Sequence, residues 1–291
     1  MTSTRLRLLP PMLAVSAVAL AAAACGSSSS LQLTTPTIAP ARVYHLAGFT
    51  PTTPVRVGRQ TRISFTIIQP SGTPLTAYKQ GSGPHNGVDL IIVRSDDSHL
   101  LYEDTDIAAD GKISQPVVFP APGRYRILID AYPKQTSQAM PLNFQLFTWV
   151  TVAGVARAQP LPAFSSTVSV DGYRFTLPQR LSLHAIQAAF LPVSVRDTHG
   201  RPAVFTLWRG ALAHAIFIRA GSLDYFHTHV CPPGATSCTS RLGATRVTGT
   251  SSTPGKLKVG VLVPVPGTWR LFLLTDIDGH QLTAPFTLTV S

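Results

Sequence analysis

The chain contains one passage twice, and that repetition restricts its fold more than any other feature. FPAPGRYRILID at residues 119–130 returns as VPVPGTWRLFLLTD at residues 263–276: Pro-x-Pro-Gly, an aromatic residue, an arginine and an apolar run. Upstream, DLIIVRSDDSHLLYEDT from Asp89 is echoed by HAIFIRAGSLDYFHTHV from His214. Asp89 to Tyr102 is 13 residues, and so is His214 to His227. Asp104 to Gly123 is 19 residues, whereas His229 to Gly267 is 38, so the second copy carries 19 extra residues in which Cys231 and Cys238 fall. Self-similarity of this kind means two copies of one supersecondary unit.

Each copy reads as short strands between turns. With 25 Pro and 21 Gly the chain suits turns better than long helices, because Pro lacks an N–H and Gly carries extra backbone entropy. The first copy offers RISFTII, VDLIIVR, QPVVFP, RYRILIDAY and LNFQLFTWVTV; the second offers QAAFLPVSV, AHAIFIR, LKVGVLVPV, TWRLFLLT and APFTLTV. Such spacing is an all-β signature. LSLHAIQAAF alone leaves helix and strand open. Pro-Gly ahead of an aromatic strand resembles the edge turn of immunoglobulin-like sandwiches. The expectation is an all-β chain of two tandem immunoglobulin-like or cupredoxin-like β-sandwich domains. The first, degenerate copy spans 43–153, a linker 154–164, and the second copy 165–291.

The N-terminus sets the compartment. Arg5 and Arg7 precede LLPPMLAVSAVALAAAA, which is short and Ala-rich for a membrane span and reads as an export signal over residues 1–24. Ala22, Ala23 and Ala24 end at Cys25, an arrangement that resembles the lipobox of bacterial lipoproteins. There the cysteine is acylated and becomes the new N-terminus; lipoboxes usually carry Leu where Ala22 stands. The resemblance implies a protein anchored by lipidated Cys25 to the outer face of the cytoplasmic membrane. Residues 25–42 have the Ser/Thr/Pro composition of a tether. Ordinary signal cleavage with an unmodified Cys25 thiol is the other reading.

Loss of Arg5 and Arg7 lowers the net charge from +11 to +9. The remaining Lys and Arg are scattered singly, without the basic stripe a nucleic-acid partner requires. CPPGATSC, with Pro-Pro-Gly bringing its ends together, is expected to close as a Cys231–Cys238 disulfide in an oxidising compartment, against the alternatives of two free thiols or metal-ligand thiolates.

The chemistry concentrates in the second copy. Alternate side chains of a strand share a face, so His214 stands with Ile216 and Ile218, and Tyr225 with His227 and His229. A hairpin between these strands would bring His214 onto the His227/His229 pair, a donor set suited to copper(II) or zinc(II). His280, near Asp276 and Asp278, is a further and weaker candidate. The first copy has Asp89, Tyr102 and Asp104 where the second has His214, His227 and His229, so a metal should favour the second copy. A buried hydrogen-bond network and a proton-sensitive partner site stand as alternatives for the same histidines. His85, His99, His184 and His199 are expected to be solvated, and Arg124, Arg126 and Arg270 to point outward from strands.

Gly210 and His214, then Phe226, His227 and His229, then Pro266, Gly267, Trp269, Arg270 and Phe272 resemble an uncharacterised family of exported bacterial β-sandwich proteins. That family is often described as secreted or heavy-metal-associated. Its pattern puts Pro after the second His, where this chain has Val230 and Cys231. The resemblance implies metal or copper association.

No GxSxG, HExxH, P-loop or GxGxxG motif occurs, and no catalytic residue is assigned. The expected role is extracytoplasmic metal binding by a membrane-anchored lipoprotein, serving a membrane transporter or another exported protein. The alternative is a non-catalytic adhesion or scaffold module with structural histidines.

Overall fold

A computed structural model describes residues 43–291, apart from 82, 135–142, 236–237, 239–240 and 243–244. The export signal, the tether and Cys25 lie outside the described residues. The described chain is all β, with no helix. LSLHAIQAAF, left open between helix and strand, is a loop that turns at Ile186 and enters a strand at Ala189.

In the first copy β1 (His45–Thr50), β3 (Gln60–Ile68), β6 (Asp106–Ile107) and β7 (Lys112–Val118) form one sheet, ordered β1-β3-β7-β6. The facing sheet, ordered β2-β9-β8-β4-β5, takes β2 (Val55–Arg56), β4 (Val88–Arg94), β5 (Leu100–Asp104), β8 (Gly123–Ala131) and β9 (Phe144–Ala153). Between them Ile63, Phe65, Ile67, Leu90, Ile92, Phe119, Tyr125 and Ile127 make the core.

The second copy closes its two layers into one sheet. It runs through β10 (Thr167–Val170), β11 (Tyr173–Thr176), β12 (Ala189–Asp197), β13 (Phe205–Thr206), β14 (Ala213–Arg219), β15 (Tyr225–Cys231), β18 (Gly249–Thr250), β19 (Lys256–Val261), β20 (Gly267–Ile277) and β21 (His280–Val290). A small hairpin, β16 (Arg241–Leu242) with β17 (Thr245–Arg246), stands apart. The extra residues of this copy supply the join. β18 pairs β15 on one side and β19 on the other. There the backbones nearly touch: a Cβ on Gly249 would lie 1.9 Å from the Lys258 carbonyl oxygen, and one on Gly260 1.7 Å from that of Val247.

The repeated Pro-x-Pro-Gly passage builds the same corner twice. Gly123 and Gly267 take φ of 132° and 133°, conformations open to glycine. Two residues on, the Tyr125 hydroxyl donates to the Ala121 carbonyl at 3.0 Å and Trp269 Nε1 to that of Val265 at 3.1 Å. Both aromatic rings are fully buried, each with its polar tip satisfied.

β4 and β14, equivalent in the repeat, are buried along almost their whole length. One face of each enters its own core; the other meets the other copy. Ile91, Val93, Tyr102 and Leu128 pack with Ile216, Ile218, Leu223, Phe272 and Leu274 in a third apolar cluster. Arg126 and Arg270, expected to point outward, work at this boundary instead. Arg126 Nη1 donates to the Ser222 and Leu223 carbonyls at 2.8 and 3.0 Å. Arg270 is buried, donates to Thr287 Oγ1 at 2.7 Å and feels the charge of Asp97 in the first copy. Arg124, by contrast, lies over the half-exposed Trp149 ring at 4.3 Å.

Cys231 and Cys238 form a disulfide beside buried Ala211. Cross-linking so short a loop restricts the unfolded chain modestly. Replacing both cysteines by serine should lower stability by about 2 kcal/mol, read as a fall in urea midpoint. An unchanged midpoint would mean that the bridge does not constrain the unfolded chain.

Candidate metal centre

The β14/β15 hairpin places His214 opposite His229 and Ile216 opposite His227. Because alternate residues share a face, Ala213, Ala215 and Phe217 go to the core of the second copy, and the histidines face the first copy. There the counterpart hairpin sets Asp89 opposite Asp104 and Ile91 opposite Tyr102. Tyr102 of this set meets His214 and His227 across the boundary between the copies, while Asp104 is exposed and pairs with Arg209.

His214 and His229 are buried, and His227 is partly so. The ligand atoms of the three all lie within 4.8 Å of one another. His214 Nδ1 is 3.3 Å from His227 Nε2. His214 Nε2 is 3.1 Å from the Trp208 carbonyl oxygen, which can only accept, so the ring proton sits on Nε2 and Nδ1 keeps its lone pair. His227 Nδ1 is buried without a hydrogen-bond partner among the described residues.

Aromatic rings wall the site. Tyr102 lies 5.2 Å from His214 and 5.6 Å from His227, centroid to centroid, and Trp208 lies 5.2 Å from His214. Arg209 spans the boundary. Its Nη1 pairs with Asp104 at 2.9 Å, its Nη2 donates to the Tyr102 carbonyl at 3.1 Å, and the guanidinium stacks 4.2 Å over the Tyr102 ring.

Burial disfavours the charged form of every imidazole here. It pushes His214 down to about 3, helped by Arg209 and opposed by the Trp208 carbonyl. His227 and His229 are held well below the usual range, first by burial and then by neighbouring imidazoles. Burial raises the carboxyl of Asp89, with Asp130 adding to it, and lifts Asp130 to about 6 against hydrogen bonds from Asn143, Tyr132 and Tyr225. At neutral pH the site offers uncharged imidazoles.

Three of the residues singled out from sequence are thus brought together, and His280 is not. It is exposed, just after the tight turn at Asp278-Gly279, where Gly279 N–H donates to Asp276 Oδ1 at 3.0 Å. His85, expected to be solvated, instead lies against His229 with ring centroids 4.7 Å apart. His99, His184 and His199 stay at turns or on the surface, His184 bonded to Ser182 and Ser291. Arg209 escaped sequence reasoning, and Trp208, a residue type that ordinarily reads as core, stands against His214. Nothing local marks them, but the two-sided burial that VDLIIVR and AHAIFIR call for was a signal that the copies pack together.

Residues 167–291 match a domain of unknown function, DUF8832. The motif residues from Gly210 to Phe272 fall inside it. No curated protein matches the chain. Among solved structures, the tetra-tandem repeat in the extending region of a large adhesion protein is 10% identical, covering 86% of this chain and 49% of that one with a TM-score of 0.26. The fibronectin(III)-like modules of CbhA from Clostridium thermocellum are 11% identical over 85% of this chain and 93% of theirs, at 0.22. Invasin, a bacterial integrin-binding protein, is 14% identical over 84% of this chain and 38% of its own, at 0.20. The chain spans about half the length of the adhesion fragment. Likeness of this order carries no shared function.

Proposed function

We propose that this protein is an exported lipoprotein, anchored through Cys25, that binds one transition-metal ion at His214, His227 and His229, copper in preference to zinc. One observation carries the metal reading: the 3.3 Å between His214 Nδ1 and His227 Nε2, with the third imidazole in reach. Two metal–nitrogen bonds of about 2.0–2.1 Å separate their nitrogens by about 2.8–3.0 Å at the right angle of a tetragonal copper(II) site and by about 3.3–3.4 Å at the tetrahedral angle zinc adopts. The pair is thus spaced for one ion, and the angle alone does not choose the metal. The donor chemistry agrees. Uncharged imidazoles need shed no proton to bind, and the Trp208 carbonyl presents His214 Nδ1 as a donor. With the cysteines of the second copy joined to each other, the donors are nitrogen alone, a set on which Cu²⁺ outranks Zn²⁺.

A bound ion would supply positive charge beside two buried acids, Asp89 and Asp130. Both carboxyls are buried, Asp89 bonded to Tyr102 and Asp130 to Asn143, Tyr132 and Tyr225. The chain's own residues orient the imidazoles and exclude water from them. Support for the anchor comes from the sequence before Gly26, and a membrane transporter or another exported protein is the partner class this placement suits.

The same 3.3 Å contact also fits a hydrogen bond between two structural histidines in an adhesion or scaffold module. Thermal unfolding separates the readings. Copper(II) at about 100 times its dissociation constant stabilises the folded chain by about 2.7 kcal/mol, raising Tm by roughly 5–10 °C, and a chelator reverses it. A Tm indifferent to copper and zinc would favour structural histidines.

A further inference from the structure

We propose that the outer face of the β11, β12 and β19 layer docks on a membrane surface that carries anionic phospholipid. The choice of a membrane as occupant rests on the export and anchoring reading above; the charge of the face does not.

Strand alternation assigns the face. Phe175, Leu191, Val193, Val195, Leu257 and Val259 enter the core of the second copy, so Arg174, Phe190, Ser194, Arg196, Lys256 and Lys258 turn outward. The four cations among them are all exposed. In the chain they stand 22, 60 and 2 residues apart, which is why the sequence shows single basic residues and no stripe. Strand pairing gathers them. Arg174 lies directly opposite Arg196, and Lys256 lies opposite Ser194, two residues along β12 from Arg196.

This arrangement opposes folding. Like charges set across from each other on a sheet repel. No carboxylate relieves them: among the described residues none of the four forms an ion pair, and the outward positions of these three strands hold neither Asp nor Glu. Asp197, next to Arg196 in sequence, is taken by Arg201 at 2.6 Å. Arg196 Nη1 reaches only the Gly200 carbonyl, at 2.6 Å, and Lys256 Nζ only Ser194 Oγ, at 3.4 Å. An anionic partner would turn this repulsion into attraction.

Phe190 narrows the choice of partner. It is 39% exposed at the end of the same face, with Lys258 Nζ 4.7 Å over its ring. An apolar ring beside a cation suits the boundary where charged headgroups meet acyl chains, which favours a lipid surface over a wholly polar polyanion.

The test uses the chain from Gly26 onward, which lacks Cys25 and so reads the face without the anchor. Its binding is measured by sedimentation with vesicles of phosphatidylcholine alone and of phosphatidylcholine with phosphatidylglycerol. The unaltered chain should bind the anionic vesicles at least about tenfold more tightly than the neutral ones, and the difference should vanish toward about 1 M salt. Arg174→Gln/Arg196→Gln/Lys256→Gln/Lys258→Gln should lose that preference and keep its melt. Arg56→Gln/Arg59→Gln/Lys112→Gln/Arg157→Gln, which removes as much charge from exposed positions outside the second copy, should keep most of it. Equal affinity for both vesicles, or equal loss in the two variants, would overturn the proposal, as would tighter binding to duplex DNA than to the anionic vesicles at the same salt. Acylation of Cys25 is read separately, from the mass of the N-terminal peptide of the membrane-isolated protein; an unmodified Cys25 would end the anchoring reading, while the vesicle result still decides the face.

Discussion

An alanine at Gly260 is expected to destabilise the second copy by more than about 3 kcal/mol, the range in which overpacking strains a structure that cannot give way. The added Cβ would sit 1.7 Å from the Val247 carbonyl oxygen and 2.7 Å from its carbon. Both are backbone atoms, so no rotamer change relieves the clash. The segments must part, and with them goes β18, the strand that joins the layer of β12 and β19 to that of β14 and β15. Gly221→Ala is the control. Gly221 has φ of 85° but open space around it, so it should lose about 1 kcal/mol for its left-handed backbone alone. Urea unfolding followed by fluorescence of buried Trp269 reads both. Equal midpoint shifts would mean that the close approach at Gly260 does not exist.

Ile216→Asp is expected to part the two copies. Ile216 is fully buried in the cluster between them, opposite His227 on the neighbouring strand. Removing the side chain from its apolar surroundings forfeits about 2 kcal/mol, and an unpartnered carboxylate there adds several more. Tm should fall by more than 10 °C, and protease should cut within residues 154–164 many times faster. Ile216→Val, which keeps the cluster apolar, should lose about 1 kcal/mol. Ile91→Asp applies the same insult from the first copy, since Ile91 is the repeat equivalent of Ile216, and it leaves the histidine hairpin intact. If neither aspartate variant speeds cleavage, the cluster does not hold the copies together.

Much of this was legible in the residues. Pro-x-Pro-Gly followed by an aromatic gave the corner at Gly123 and Gly267, because only that backbone turn puts Tyr125 and Trp269 inward with their polar tips bonded four residues back. Alternation along AHAIFIR and YFHTHV put His214, His227 and His229 on one face, and the 13-residue spacing closed the hairpin that pairs them. What stayed hidden depends on tertiary placement. His85 lies in a turn whose composition looks solvated, and nothing nearby in sequence says that a second sheet covers it. Arg126 and Arg270 alternate as outward residues on their strands, and outward here means toward the other copy. His280 shares a strand pair with the core yet belongs to its exposed end. The degenerate set Asp89, Tyr102 and Asp104 reads from sequence as structural or as a partner surface; in the fold its Tyr102 lies against the histidines.

The central claim is a single metal site built on three histidines of the second copy. Calorimetric titration of copper(II) and zinc(II) into the chain from Gly26 onward, beside the His227→Ala/His229→Ala double variant, tests it most directly. The account predicts one saturable site, tighter for copper, with nitrogen hyperfine structure in the loaded protein. The double variant should lose at least a thousandfold in affinity while keeping a cooperative melt. Equal uptake by both proteins, or none by either, would contradict the claim and leave the histidines as packing between two β-sandwich copies.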